Sequence, residues 1–187
     1  MQIIATVFWR RLDVPGHDAC RLERHAETWQ LDGAAVFMHT DGRPARLDYR
    51  VCCDKAWHTK WARVRGWLGS GALDFAIARN ARGEWTLNDE VAPDLGHCVD
   101  FDLGFTPATN LAQLRRLNLK PGESADVPTA WMDLDGDALG LLAQRYERVG
   151  ENEFAYEAPR FDYKATLRAT PEGFITDYPT LWQAVTP

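Results

Sequence analysis

The stretch "ARLDYRVCCD", Ala45–Asp54, alternates along its length. Ala45, Leu47, Tyr49, Val51 and Cys53 share one side, and Arg46, Asp48, Arg50, Cys52 and Asp54 the other. A period of two is the mark of a half-buried antiparallel strand, because successive side chains leave the backbone on opposite faces. "FDYKATLRA" (Phe161–Ala169) and "ALDFAIAR" (Ala72–Arg79) repeat the pattern. Turn signals separate such runs at Asp41-Gly42, Ala81-Arg82-Gly83, Lys120-Pro121-Gly122, Val149–Asn152 and Pro171–Gly173. Spacing of this kind predicts roughly eleven to thirteen strands.

Helical periodicity is scarce. "QRYERVGENEFAYEA" reads as a hairpin, and a short helical turn is expected only at the C-terminus, in "PTLWQAV". Many strands with few helices to cover them must close on themselves or pack as two layers. The expectation is an all-β, mainly antiparallel roll. With 187 residues and no linker or fixed repeat, residues 1–187 read as a single domain.

The composition narrows the function classes. A net charge of −6 argues against a nucleic-acid surface. The densest basic stretch, "KWARVRGW" (Lys60–Trp67), interleaves cations with aromatics but stands in an acidic whole. Eight Trp, eight Phe and five Tyr supply stiff apolar surface of the sort that fills β cores or holds sugar and apolar ligands. The N-terminal apolar run is short and its charges follow it, unlike a signal peptide, and no segment approaches the ~20 apolar residues of a membrane span. The expected address is cytoplasmic. The four cysteines contain no C-x-x-C, and adjacent Cys52 and Cys53 point apart on a strand, so buried free thiols are expected.

Polar chemistry concentrates in "VDFDLGFTPATNLAQLRRLNL", Val99–Leu119. Read by strand parity, Asp100 and Asp102 stand on one face about 7 Å apart. The same parity sets Arg115 with Leu117 and Leu119, and Arg116 with Leu114 and Asn118. Either arginine can give the aspartates a bidentate partner, as a staple fixing strand register or as the rim of a ligand cavity. Thr109 and Asn110 suit a tight turn after Pro107, or serve as donors to a ligand. Trp57, Thr59 and Trp61 share a face if the strand runs through them, which makes the two indoles core or a stacking platform. His58 lies between them as the best-placed titratable group.

Catalytic signatures are missing: there is no G-x-S-x-G, H-E-x-x-H, P-loop or dinucleotide fingerprint, and no serine stands in a nucleophile elbow. The five histidines lack metal-ligand spacing, so no metal or other cofactor is expected.

The order "YRVCCDKAWHTKWARV", "GHCVDFDLGFTPATNLAQLRRLNL", Ala130-Trp131, "QRYERVG" and "GFITDYPTLW" resembles the glycolipid-binding family of bacterial proteins of unknown function, over nearly the whole chain. The block from Asp100 to Leu117 is its most specific part. The chain reads "WHTK" at Trp57–Lys60 where the family pattern has W-x-T-R. The resemblance implies a two-layered spiral β-roll, similar to bacterial lipoprotein-carrier folds, and a non-enzymatic binder of an amphipathic lipid or glycolipid. The candidate ligand residues are Asp100, Asp102, Thr109, Asn110, Arg115 and Arg116, with His58 and the platforms Trp57, Trp61 and Trp131. Two alternatives stay open: a small enzyme pairing His58 with Asp100 or Asp102, and a protein-interaction module. The oligomeric state and the ligand are not legible.

Overall fold

The computed structural model describes residues 1–185. The first half of the chain forms β1 (Gln2–Arg11), β2 (Gly16–Arg24), β3 (Thr28–Met38), β4 (Pro44–Asp54), β5 (Thr59–Leu68), β6 (Gly71–Arg79), β7 (Trp85–Leu87) and β8 (Glu90–Ala92). Strand β9 (Asp100–Leu103) leads into helix α1 (Asn110–Leu117). Then come β10 (Ser124–Met132), β11 (Gly140–Arg148), β12 (Glu153–Ala158), a 3-10 turn, β13 (Tyr163–Ala169), β14 (Ile175–Tyr178) and β15 (Trp182–Ala184).

All fifteen strands belong to one sheet in the order β8-β7-β6-β5-β4-β3-β2-β1-β15-β14-β13-β12-β11-β10-β9. The all-β reading with little helix holds. Two meanders join where β1 pairs with β15, and every neighbouring pair is antiparallel except β9 with β10. Laid flat, such a sheet would be about 70 Å wide, and sheets of more than ~10 strands curl. This one curls until its ends meet: β8 and β9, its two edges, are consecutive in the chain. The Trp85 and Phe101 rings lie 5.8 Å apart, and the Trp85 indole donates to the Cys98 carbonyl at 3.1 Å.

The segment from β9 through α1 fills the inside of the curl. Phe105 packs on Phe37 of β3 and Tyr49 of β4, with ring centroids 6.2 and 5.9 Å away. Ala108, Leu111 and Ala112 are fully buried. Polar side chains of this segment are buried with them because both faces of β9 look into the roll. The four cysteines are free and buried.

Three local expectations change. "NLAQLRRL" is helix α1, not a strand: Leu, Ala, Gln and Arg are good helix formers, none is β-branched, and Asn118 ends the helix in the left-handed region at φ 44°. Arg115 and Arg116 therefore sit in its last turn, where cations complement the helix dipole. "PTLWQAV" carries a turn and then β15, which pairs with both β1 and β14. Finally, Trp57, Thr59 and Trp61 do not share a face. Cys52 pairs with Trp61 but Cys53 with Thr59, so a bulge leaves Lys60 unpaired and turns Trp61 outward, 38% exposed. Trp57 precedes the strand at φ 67°, buried and stacked on Trp29 at 4.6 Å.

One glycine is fixed by packing. Gly33 on β3 faces Tyr49 on β4, and a Cβ there would lie 2.3 Å from the Tyr49 ring. Gly33→Ala should lower stability by about 1–3 kcal/mol through overpacking, read from the urea midpoint. An unchanged midpoint would mean that the ring is not seated on this glycine.

Candidate functional site

Each carboxylate of the polar segment meets different company. Asp100 is fully buried and grips Arg116 through two nitrogens on one guanidinium edge, Nε at 2.9 and 3.0 Å and Nη2 at 2.6 Å. The pair pins the C-terminal turn of α1 to β9. Asp102, two residues on, accepts the Thr109 hydroxyl at 2.8 Å and the Gln144 amide at 2.5 Å, and burial pushes its pKa up. The Thr109 hydroxyl also accepts the Leu103 amide at 3.3 Å, tying the N-terminus of α1 to the same strand. Beside this, Asn110 donates to the Tyr146 hydroxyl at 2.7 Å, and Tyr146 in turn donates to Gln113. The buried Gln113 Nε2 is left without a partner.

A third carboxylate, not singled out in the sequence, is Asp18 on β2, 1% exposed. It receives the Tyr49 hydroxyl at 3.0 and 3.2 Å and the Thr106 hydroxyl, with no cation beside it. Burial is the largest influence on its pKa and pushes it up to about 7, against the pull of the two hydroxyls.

These networks back onto a cavity of about 310 Å³ between the β9–α1 segment and strands β10–β15. Six aromatic rings line it: Trp131, Tyr156, Phe161, Tyr163, Tyr178 and Trp182. Its polar lining is Asp102, Asp133, Thr106 and Asn110, and no Lys or Arg lines it. Asp133 accepts the Leu134 amide at Oδ1 (2.7 Å), and burial raises its pKa. A Cβ on Gly104 would stand 2.6 Å from Asp133 Oδ2 and 3.0 Å from Trp131 Nε1, so the missing side chain lets both carboxylate and indole sit against this backbone.

At the other end of α1 lies a groove of about 520 Å³ lined by Trp57, Arg115, Arg116 and Arg148. Arg115 stands over the Trp57 ring at 5.7 Å. Arg148 spends its donors on the carbonyls of Leu119, Gly150 and Glu151. A comparable hollow on the outer sheet face is crossed by ion pairs, Arg21 to Asp32 at 2.8 Å among them; Arg63 and Arg65 of the basic stretch both reach Asp74.

The ten candidate residues thus divide. Asp102, Asn110 and Trp131 line the aromatic cavity, with Thr109 behind Asp102. Trp57, Arg115 and Arg116 line the cationic groove, with Asp100 beneath Arg116. His58 and Trp61 line neither. The His58 side chain is 42% exposed, with Asp54 3.6 Å away. Sequence reasoning passed over Asp133, which lies in an acidic loop resembling a plain turn. It also passed over the tyrosines of β12–β14: the alternation through Tyr163 and the hairpin reading around Tyr156 say nothing of a space between them.

Residues 6–184 match a protein family described as "Putative glycolipid-binding". The structure is similar to the crystal structure of a DUF1089 family protein from Pseudomonas aeruginosa, with a TM-score of 0.75 and 27% identity over 89% of this chain and 91% of that one. No curated protein matches the sequence.

Proposed function

This chain belongs to the family described as "Putative glycolipid-binding", and we propose that it binds the head group of an amphipathic glycolipid in the aromatic cavity, without catalysis. The observation that carries this reading is the lining itself: six aromatic rings around two carboxyls, an amide and a hydroxyl. Aromatic faces stack on the C–H faces of a sugar, while a few placed polar groups orient its hydroxyls. At about 310 Å³ the cavity lies at the low end of small-molecule sites, a fit for a head group more than for acyl chains. Phe161, 53% exposed, extends apolar surface toward solvent, where a tail would continue.

The enzyme reading fares less well on geometry. His58 has Asp54 at its side, Asp100 is taken by Arg116, and the Asp102 oxygens are occupied by Thr109 and Gln144. An interaction module would suit a roll packed solid, and this one holds a cavity. Free buried thiols suit a reducing compartment and support a cytoplasmic setting in a bacterial cell. No helix among the described residues is long and apolar enough to cross a membrane.

Titration of octyl β-glucopyranoside below its micelle concentration, followed by tryptophan fluorescence, tests the proposal. Trp131→Leu should weaken binding about tenfold or more, as loss of a central aromatic contact does. Trp61→Leu, on the outer face, should leave it unchanged. Equal binding by wild type and Trp131→Leu would remove the cavity from consideration.

A further inference from the structure

Resting on that reading, we infer that the cavity selects a head group carrying a positive charge, an amino sugar or another ammonium-bearing group, over neutral or anionic ones. Two carboxyls line the space and no Lys or Arg does. Among the described residues, no ion pair reaches Asp102 or Asp133. The nearby basic side chains are engaged elsewhere: Arg11 holds Asp13 at 2.9 Å, and the His39 ring lies between Asp41 and Asp135 at 3.1 and 3.2 Å. Arg160 stands over the Trp131 ring at 4.8 Å but does not line the cavity.

The two carboxyls differ in what they have left to offer. Asp102 is held by Thr109 and Gln144, so its oxygens have little left to give a ligand. Asp133 uses Oδ1 on its neighbour's amide and keeps Oδ2 beside Gly104 and the Trp131 indole. A carboxyl oxygen in a space walled by Trp and Tyr rings is a setting in which an entering cation is attracted twice, by charge and by the faces of the rings that line the space. An anionic head would meet two carboxyls and no compensating charge. A neutral sugar would find acceptors for its hydroxyls but bring no charge to either carboxyl. Burial pushes both acids toward their neutral forms, and an ammonium group placed beside them reverses that tendency.

Gly104 is part of the device, because any side chain there would displace the Asp133 carboxyl and the Trp131 indole from their places in the lining. The same cavity with a cation inside it would be an ordinary compensated core, which is why none of the chain's own arginines needs to enter.

The test is a matched set of probes on the full chain: octyl 2-amino-2-deoxyglucopyranoside, its N-acetyl form and octyl glucopyranoside, at a pH where the free amine is protonated. The amine should bind about tenfold or more tightly than either neutral glycoside. Asp133→Asn should bring the ratio of amine to neutral affinity close to one. Equal affinity for all three in the wild type overturns the charge preference and leaves glycoside binding standing. Binding of none of them overturns both readings. Should Asp133→Asn fail to fold, the comparison of free with acetylated amine decides alone.

Discussion

Replacing Arg116 by methionine is expected to lower the unfolding free energy by about 3–5 kcal/mol, the largest loss foreseen for any single polar side chain here. Asp100 is fully buried on a strand with no solvent on either face, and Arg116 meets it with three hydrogen bonds. Methionine keeps most of the stem's packing but leaves the carboxylate without its hydrogen-bonded cation, or forces it to take up a proton at neutral pH. Arg115→Met next to it removes an exposed cation with only a ring for company and should change stability by about 0.5 kcal/mol or less. The double variant Asp100→Leu/Arg116→Met should recover much of the loss, since replacing both partners removes the unpaired charge. Urea unfolding at pH 7 measures all three. A cost below about 1 kcal/mol for Arg116→Met would mean that the pair does not pin α1 to β9.

The second large effect is on pH dependence. The Asp18 pKa rises from 3.8 in the unfolded chain to about 7 in the fold, so between those values the native state holds a proton that the unfolded state has released. Stability then falls as pH rises, because raising the pH favours the state that binds fewer protons, here the unfolded one. The contribution is fully present below pH 3.8, lost progressively up to about 7, and flat above. Its size is on the order of 4 kcal/mol. Burial raises Asp102 and Asp133 in the same sense. Asp41 and Asp74 are shifted down by Arg43 and Arg63, and their effects fall below that window. The protein should therefore unfold at a higher urea concentration at pH 5 than at pH 8. Asp18→Asn, which keeps the shape and cannot ionise, should show a markedly smaller difference. An identical pH profile in the variant would place Asp18 among ordinary carboxylates.

How much of this was legible follows from how local each signal is. The alternation of residues 45–54 survives intact: Ala45, Leu47, Tyr49, Val51 and Cys53 are buried, and Arg46, Asp48 and Arg50 are exposed. One departure there is buried Cys52, which stands at the bulge that also turns Trp61 outward. Nothing at residues 52–61 announces an unpaired residue. Helix α1 was missed because the pair Leu117 and Leu119, two apart, was read by strand parity, while Leu111, Leu114 and Leu117 at spacings of three carried the helical signal over too few residues to stand out. The site was half visible: Asp102, Asn110 and Trp131 carry enough polar or aromatic character to be suspected individually. Their cavity partners, from Asp133 to Trp182, arrive through the curl of the whole sheet. No spacing along the chain encodes which of its buried faces encloses a space.

A crystal structure of the protein grown with octyl β-glucopyranoside tests the central claim most directly. The account predicts the sugar ring in the cavity beside Trp131, with its hydroxyls on Asp133 and Asn110 and its alkyl chain leaving past Phe161. Glycoside found only in the Arg115–Arg148 groove, or an aromatic cavity that stays empty at saturating ligand, would contradict it.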